Sequence, residues 1–220
     1  MSDFLNRWPL PNNWESAAGV INFEARGIQP YQAVEGQSAR PTLLKALECY
    51  GQDLAPLPKL AVDLGCGDGC DTVELLSQGW RVLAIDGAPE TIQRLRQRSD
   101  IDRTYLETRV QGLEDLTLPP GVSLINASFC LPFCPPAHFP DLWEEIVTAL
   151  AAGGRFCGQL FGHQDTLAIL QDVTLHTRQQ VEDLLQPFKI ELLDEESHPN
   201  NTAPGEKRHW YLFNIVACKR

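Results

Sequence analysis

The sequence predicts an α/β fold built on a doubly wound, mostly parallel sheet, and three observations point to it. A short apolar run, Leu60-Ala61-Val62, ends in Asp63 and enters a bend where Gly65, Gly67 and Gly69 alternate before the helix-compatible residues 71–76. A second run of β character, Trp80 to Ile85, also ends in a carboxylate, Asp86, 21 residues after Gly65. Beyond it, apolar runs of strand length keep alternating with helical segments, the order that produces βαβ units.

Residues 1–38 mix Pro9, Pro11, Gly19, Gly27, Pro30 and Gly36 with Trp8, Trp14, Phe23 and Tyr31. This is too broken for one long helix and too aromatic for a disordered tail. It reads as an N-terminal arm, either a lid or a structural wrap, in which Arg26 and Tyr31 are candidates to face a ligand. The domain proper is 39–220. Residues 38–50 carry Leu43, Leu44 and Leu47 on one helical stripe; Gly51 stops the helix, and Pro56 and Pro58 lead into the first strand. After the glycine bend, a helix over 71–78 is closed by Gly79. Gly87-Ala88 turns out of the second strand, and Pro89 suits the first position of a helix running to about Arg98.

Tyr105 to Val110 is a third strand; Val122 to Ala127, almost continuously apolar, is a fourth with both faces buried. Pro140 opens a helix with Leu142, Ile146, Val147 and Leu150 as its buried stripe. Gly153-Gly154 ends it, ahead of a fifth strand from Arg155 to Phe161. Thr177, with Gln180 three residues on, has the pattern of a capping box for a helix ending near Pro187. Lys189 to Leu193 and Trp210 to Cys218 are two further β runs. The polar stretch between them, Asp194 to His209, is long for a hairpin loop and suggests a covering role.

Composition narrows the function classes. A chain of 220 residues that is 43% hydrophobic fits one globular domain. The net charge of −11 argues against nucleic acid, whose affinity rests on Lys and Arg at phosphates. Apolar runs fall well short of the ~20 residues of a membrane span, and the N-terminus lacks a signal peptide's apolar core. The expectation is a cytoplasmic protein, monomer or homodimer, acting on a small molecule, with neither nucleic acid nor membrane as partner. Of seven cysteines, Cys66/Cys70 and Cys130/Cys134 have a spacing that raises metal binding. Buried, reduced thiols behaving as small hydrophobes are the better account, and no metal is expected.

Strand, glycine-rich bend and helix together bring backbone N–H groups up to a nucleotide-like ligand. Glycine serves there because a Cβ blocks the approach and because such bends often need φ > 0. A carboxylate ending the next strand accepts hydrogen bonds from both ribose hydroxyls, so the bend and Asp86 form an adenosine-binding pair. A dinucleotide fingerprint, G-x-G-x-x-G, wants glycine where Cys70 stands, and 220 residues leave little room for a second nucleotide half. The stretch resembles motif I of the class I S-adenosylmethionine-dependent methyltransferases, D-x-G-x-G-x-G, matched by Asp63, Gly65, Gly67 and Gly69. The segments ASFCLPFCPP, GGRFCGQLFG, HTRQQVEDLL and KRHWYLFNIVACKR further resemble small bacterial methyltransferases of the tellurite-resistance type.

The resemblance implies a Rossmann-like, three-layer α/β/α fold with a seven-stranded mixed sheet of order 3-2-1-4-5-7-6, strand 7 antiparallel. It implies S-adenosyl-L-methionine as cofactor, held by Asp63, Gly65, Cys66, Gly67, Gly69, Asp86, Gly87, Leu113, Glu114 and Asn126. The family's usual adenine-contacting acid after the third strand is missing, since Gly112 stands there, and Leu113 with Glu114 is the expected substitute. Asn126 and Phe129 share the spacing of the N/D-P-P-F/Y/W motif of amino-methylating enzymes but lack both prolines; Phe129 either lines the site or is a core aromatic. Asn126, Phe129, His163 and His209 are the substrate-side candidates, the two histidines for proton handling. Lys207, Arg208, His209 and Trp210 either hold an anionic substrate or simply flank a strand. The acceptor is a thiol, chalcogen oxyanion, amine or carboxylate. An NAD(P)-binding oxidoreductase and a non-catalytic cofactor-binding module are the competing classes.

Overall fold

The computed structural model describes residues 38–51, 59–170, 172–200 and 208–220. Its strands are β1 (Leu60–Leu64), β2 (Arg81–Asp86), β3 (Leu106–Val110), β4 (Val122–Ala127), β5 (Leu150–Phe161), β6 (Phe188–Asn200) and β7 (Arg208–Lys219). Its helices are α1 (Pro41–Gly51), α2 (Cys70–Ser77), α3 (Pro89–Gln97), α4 (Phe139–Ala149) and α5 (Arg178–Leu184). All seven strands join one sheet in the order β3-β2-β1-β4-β5-β7-β6. The first five pair in parallel, and β7 runs antiparallel between β5 and β6. This is the order and the antiparallel seventh strand that the resemblance implies.

The three layers follow from alternation along the strands, because successive side chains point to opposite faces. Val62, Leu64, Leu83, Ile85, Ile125 and Phe156 pack with Phe139, Leu142, Trp143 and Ile146 of α4 and with Val181 of α5. On the other face, Ala61, Val82, Ala84 and Leu124 pack with Leu43 and Leu47 of α1, Leu75 of α2, and Ile92 and Leu95 of α3. Winding first to one face and then to the other places the chain reversal between β1 and β4. Ligands of such sheets bind at that switch point, beyond the strands' carboxyl ends.

Four expectations change. The first helix begins at Pro41 rather than residue 38, with proline where its missing N–H costs nothing. The α4 helix ends at Ala149, not at the glycine pair, and its buried stripe uses Trp143 while Val147 is only half-buried. Leu150 takes an extended conformation and already pairs with Val122 as the start of β5. Gly153, in the left-handed region at φ 77°, belongs to an irregularity inside that strand: Val122 pairs with Leu150, yet Leu124 pairs with Arg155. Most of the anticipated polar loop is also strand, since β6 continues to Asn200 and β7 starts at Arg208. Tyr105 belongs to a 3-10 turn, Arg103–Tyr105, ahead of β3. The arm over 1–37, with Arg26 and Tyr31, lies outside the described residues, as do Pro56, Pro58 and Lys207.

Candidate cofactor and acceptor site

At the carboxyl ends of β1, β4 and β5 the face toward α1 and α2 carries a polar row. Asp63 pairs in register with Asn126, and Asn126 with Cys157. All three are buried. The α2 helix adds Asp71 and Thr72 from its first turn, also buried. The Asn126 Nδ2 donates to Asp63 Oδ1 and to Asp71 Oδ2, both at 2.9 Å. Thr72 Oγ1 donates to Asp63 Oδ2 at 2.5 Å, and the Arg40 N–H, just ahead of α1, donates to Asp71 Oδ1 at 2.7 Å. The Asn126 Oδ1 accepts from Ser128 and from the Cys157 thiol. Burial, and then the neighbouring Asp71 charge, push the Asp63 carboxyl well above its ordinary value. Asn126, expected on the substrate side, is thus fully buried and has its whole amide committed to holding two carboxylates together. A carboxamide suits that place because its NH2 group has two donors to share.

The glycine bend crosses from β1 over the end of β2. Cys66 N–H donates to Ile85 O at 3.1 Å and Gly67 N–H to Asp86 Oδ2 at 3.1 Å, while Asp86 Oδ1 accepts from Ala88 N–H at 2.9 Å. The bend and Asp86, the pair expected to bind an adenosine, are therefore in direct contact. Burial raises the Asp86 carboxyl to about 6. A carboxylate has about four acceptor positions, so two backbone donors leave capacity for two hydroxyls.

The three glycines have different reasons to be glycine. Gly65, Gly67 and Gly69 all sit in the left-handed region, at φ 62°, 53° and 83°. A Cβ on Gly65 would stand 2.5 Å from Cys130 Cβ, and one on Gly69 2.3 Å from the buried Leu95 Cδ1. On Gly67 it would meet only Gly65 O, at 3.9 Å. Gly65 and Gly69 are needed for packing, and Gly67 alone opens onto free space beside Asp86. Gly67→Leu should therefore leave a folded protein that has lost about 1–2 kcal/mol to the left-handed backbone, with cofactor affinity reduced at least about tenfold. Gly65→Ala should show the reverse order, a lower melting temperature first. Calorimetry and thermal melts on the pair check this.

Cofactor affinity should also depend on pH through Asp86. The raised value means the group holds its proton up to about 6 in the free protein. Ribose hydroxyls donate best to the charged form, so affinity rises as pH increases through about 6 and levels off above it. Calorimetry from pH 5 to 8 should show the rise, and Asp86→Asn should abolish it.

After β3, the Gln111 N–H bonds Asp86 O at 3.0 Å. Glu114, half-buried, folds back so that its Oε2 lies 2.7 Å from where a Gly112 Cβ would be. A carboxylate thus occupies the space that a side chain at 112 would take. Leu113 packs partly into the core beneath, and Gly87 is half-buried at the turn after Asp86.

The remaining substrate-side candidates divide. Phe129 follows β4 in the left-handed region, φ 58°, the one non-glycine there among the described residues. Its ring joins Phe161 and Trp210 on the face toward α1. His163 is exposed and rests edge-on against Tyr211, whose ring belongs to the core of the opposite face. His209, at the start of β7, contacts Ser197 Oγ and Gln164 O. Among the described residues, the hydrogen bonds and ring contacts of the two histidines run to Tyr211, Ser197 and Gln164 rather than to the carboxylate row. Two features had weak sequence signals. Asp71 is a carboxylate on the buried side of a first helical turn. Gln159, 2% exposed, accepts the Phe129 N–H at 3.2 Å and donates to Thr42 and Asn214. No group of three or more potential metal ligands occurs among the described residues. No helix there is long and apolar enough to cross a membrane.

Set beside known proteins, residues 61–154 match the family described as "Methyltransferase domain". The ubiquinone biosynthesis O-methyltransferase of Xanthomonas axonopodis pv. citri is 32% identical over 115 residues, 52% of this chain but only 46% of that protein. TehB from Haemophilus influenzae superposes with a TM-score of 0.67 at 13% identity, over 80% of this chain and 61% of its own. A 1,6-didemethyltoxoflavin-N1-methyltransferase from Burkholderia thailandensis, solved with that compound and S-adenosylhomocysteine, gives 0.57 at 19% identity, over 82% and 77%. The structural likenesses speak for the fold, and the matched residues include the whole glycine bend, Asp86 and Asn126. Residues 61–154 are thus similar to a methyltransferase domain, and the sheet has the fold of the methyltransferases it superposes on.

Proposed function

We propose that this protein transfers the methyl group of S-adenosylmethionine to a small-molecule acceptor. The observation that carries the reading is the 3.1 Å bond from Gly67 N–H to Asp86 Oδ2, beside the open space at the Gly67 Cβ position. A cradle that any side chain would fill, next to a carboxylate with acceptor capacity to spare, has the chemistry of an adenosyl site. In this reading Asp86 takes the ribose hydroxyls, Gly65 to Gly69 with Cys66 and Gly87 form the floor, and Glu114 with the Leu113 backbone takes the adenine amino edge. Asp63 and Asp71, bridged by Asn126, give the bend a negative underside that favours a cationic ligand.

When bound, the cofactor supplies a methyl group on positively charged sulfur, already activated toward attack. The chain's task is then to hold the acceptor in line and exclude water, effects that supply several kcal/mol of a barrier. Soft nucleophiles such as thiolates need no base. For a hydroxyl or amine acceptor, His163 and His209 are the candidates for proton handling. Residues 39–220 form the catalytic unit, and the N-terminal arm is a candidate cover. Incubation with labelled S-adenosylmethionine and thiol, amine, phenol, carboxylate and tellurite acceptors tests the reading. Transfer to one class is the expected result; cofactor binding without transfer to any of them would leave a binding module instead.

A further inference from the structure

We infer that Gln159 is a positioning residue for the cofactor bend, holding the turn after β4 in a left-handed conformation that keeps Cys130 against Gly65; the inference rests on the methyltransferase reading. Three bonds tie this turn down. Ser128 Oγ donates to Asn126 Oδ1 at 3.1 Å, the Phe129 N–H to Gln159 Oε1 at 3.2 Å, and the Cys130 thiol to Leu64 O at 3.2 Å. The last bond meets β1 one residue before Gly65, and a Cβ on Gly65 would stand 2.5 Å from Cys130 Cβ. The turn is therefore the backing against which the bend rests.

Phe129 sits in that turn at φ 58°, a conformation that a side chain disfavours and glycine does not. Relaxation to negative φ would swing its N–H away and carry Cys130 off Gly65. Strain of this kind persists where the surroundings over-determine it. Gln159 does so because its amide can face only one way. It lies two residues after Cys157 on β5, opposite Asn214 in register. Asn214 Nδ2 donates to the Glu196 carboxylate at 3.1 Å, and an ionised carboxylate only accepts. Asn214 therefore turns its Oδ1 to Gln159, whose Nε2 donates to it at 3.3 Å and to Thr42 Oγ1 at 3.1 Å. Both hydrogens of that amide are then used, and its oxygen is left for the Phe129 N–H. A charge on β6 thus orients an amide on β7, which orients one on β5, which sets the turn after β4. Gln159, Thr42, Asn214 and Cys130 are all buried, where bulk water does not replace a lost bond.

Calorimetry with S-adenosylhomocysteine on the full chain tests this through a double-variant cycle. Gln159→Met keeps the length of the side chain and removes its acceptor and its donors. It should weaken S-adenosylhomocysteine binding about tenfold, the scale of a left-handed backbone no longer held in place. In a Phe129→Gly background the turn has no strain to resist, so the same change should weaken binding less than about twofold. Thermal melts separate positioning from packing. Gln159→Met strips Thr42 and Asn214 of a partner in either background, so the melting temperature should fall in both while the affinity loss appears in one. Equal affinity losses in the two backgrounds, or none in the parent, overturn the inference. Hydrogen exchange on the unaltered chain decides the matter should Gln159→Met fail to fold. On binding S-adenosylhomocysteine, protection should rise at residues 128–130 together with 65–69; a rise at 65–69 alone overturns the inference. An unaltered chain that does not bind S-adenosylhomocysteine shows this before any variant is compared, and it brings down the methyltransferase reading together with this one.

Discussion

Replacing Asp86 with alanine is expected to weaken S-adenosylmethionine binding by about 1.5–3 kcal/mol, roughly 10- to 150-fold. Hydrogen bonds to a charged acceptor lie in that range, and the two ribose hydroxyls have no other carboxylate proposed for them. The same side chain also ties the glycine bend to β2 through Gly67 and fixes the next turn through Ala88. Part of the loss will therefore come from a bend no longer held at the right height. Asp86→Asn separates the contributions, since one oxygen remains for a backbone donor while the charge is gone. Alanine should cost both affinity and several degrees of melting temperature, asparagine mostly affinity. Calorimetric affinities of both variants within a factor of two of the parent would remove Asp86 from the ribose. The prediction also explains why a carboxylate stands 1% exposed at a strand end: its desolvation is offset by two backbone donors now and by two hydroxyls on binding.

Much of this site is legible in the residues because backbone geometry restricts which residues can occupy it. A bend with three left-handed positions selects glycine, and a strand-end carboxylate facing the bend selects Asp or Glu, so both leave marks on the letters. The sheet order followed from resemblance to a family rather than from periodicity. What stayed hidden was whatever depends on distant partners. Asn126 reads as a polar strand end pointing at ligand, and only register with Asp63 reveals that its amide is consumed. Phe129 gives no sign of its left-handed backbone, because the Gln159 that imposes it is 30 residues away. The outer half of β6, Asp194 to Asn200, has a loop-like composition. It is strand because every residue there finds a backbone partner in β7, from Asn214 to Arg208. Gly112 looked like the loss of an acid; in space, the Glu114 carboxylate takes up the room beside that glycine.

The largest effect on stability should come from Asn126→Leu. Leucine keeps the branched four-atom skeleton of asparagine, so no cavity forms, and the change removes the two Nδ2 bonds to Asp63 and Asp71 together with the Oδ1 acceptor of Ser128 and Cys157. Without them two buried carboxylates face each other, Asp63 keeping the Thr72 hydroxyl and Asp71 the Arg40 N–H. Removing one member of a buried charged set costs about 3–5 kcal/mol, which for a chain of this size lowers the melting temperature by roughly 6–20 °C. The loss should shrink in acid. Asp63 already holds its proton more tightly in the folded than in the unfolded chain, so its contribution to stability is greatest below its unfolded value and falls as pH rises toward its folded one. Losing the amide raises the folded value further and steepens that fall, so the gap between variant and parent widens from pH 5 to pH 8. Asp71→Asn, whose oxygen still accepts from Arg40, removes the repulsion and should restore part of the stability in the double variant; that non-additive recovery is the signature of direct coupling. A melting temperature within 2 °C of the parent, with turnover lost, would instead return Asn126 to the substrate side and leave the carboxylate pair held by some other group.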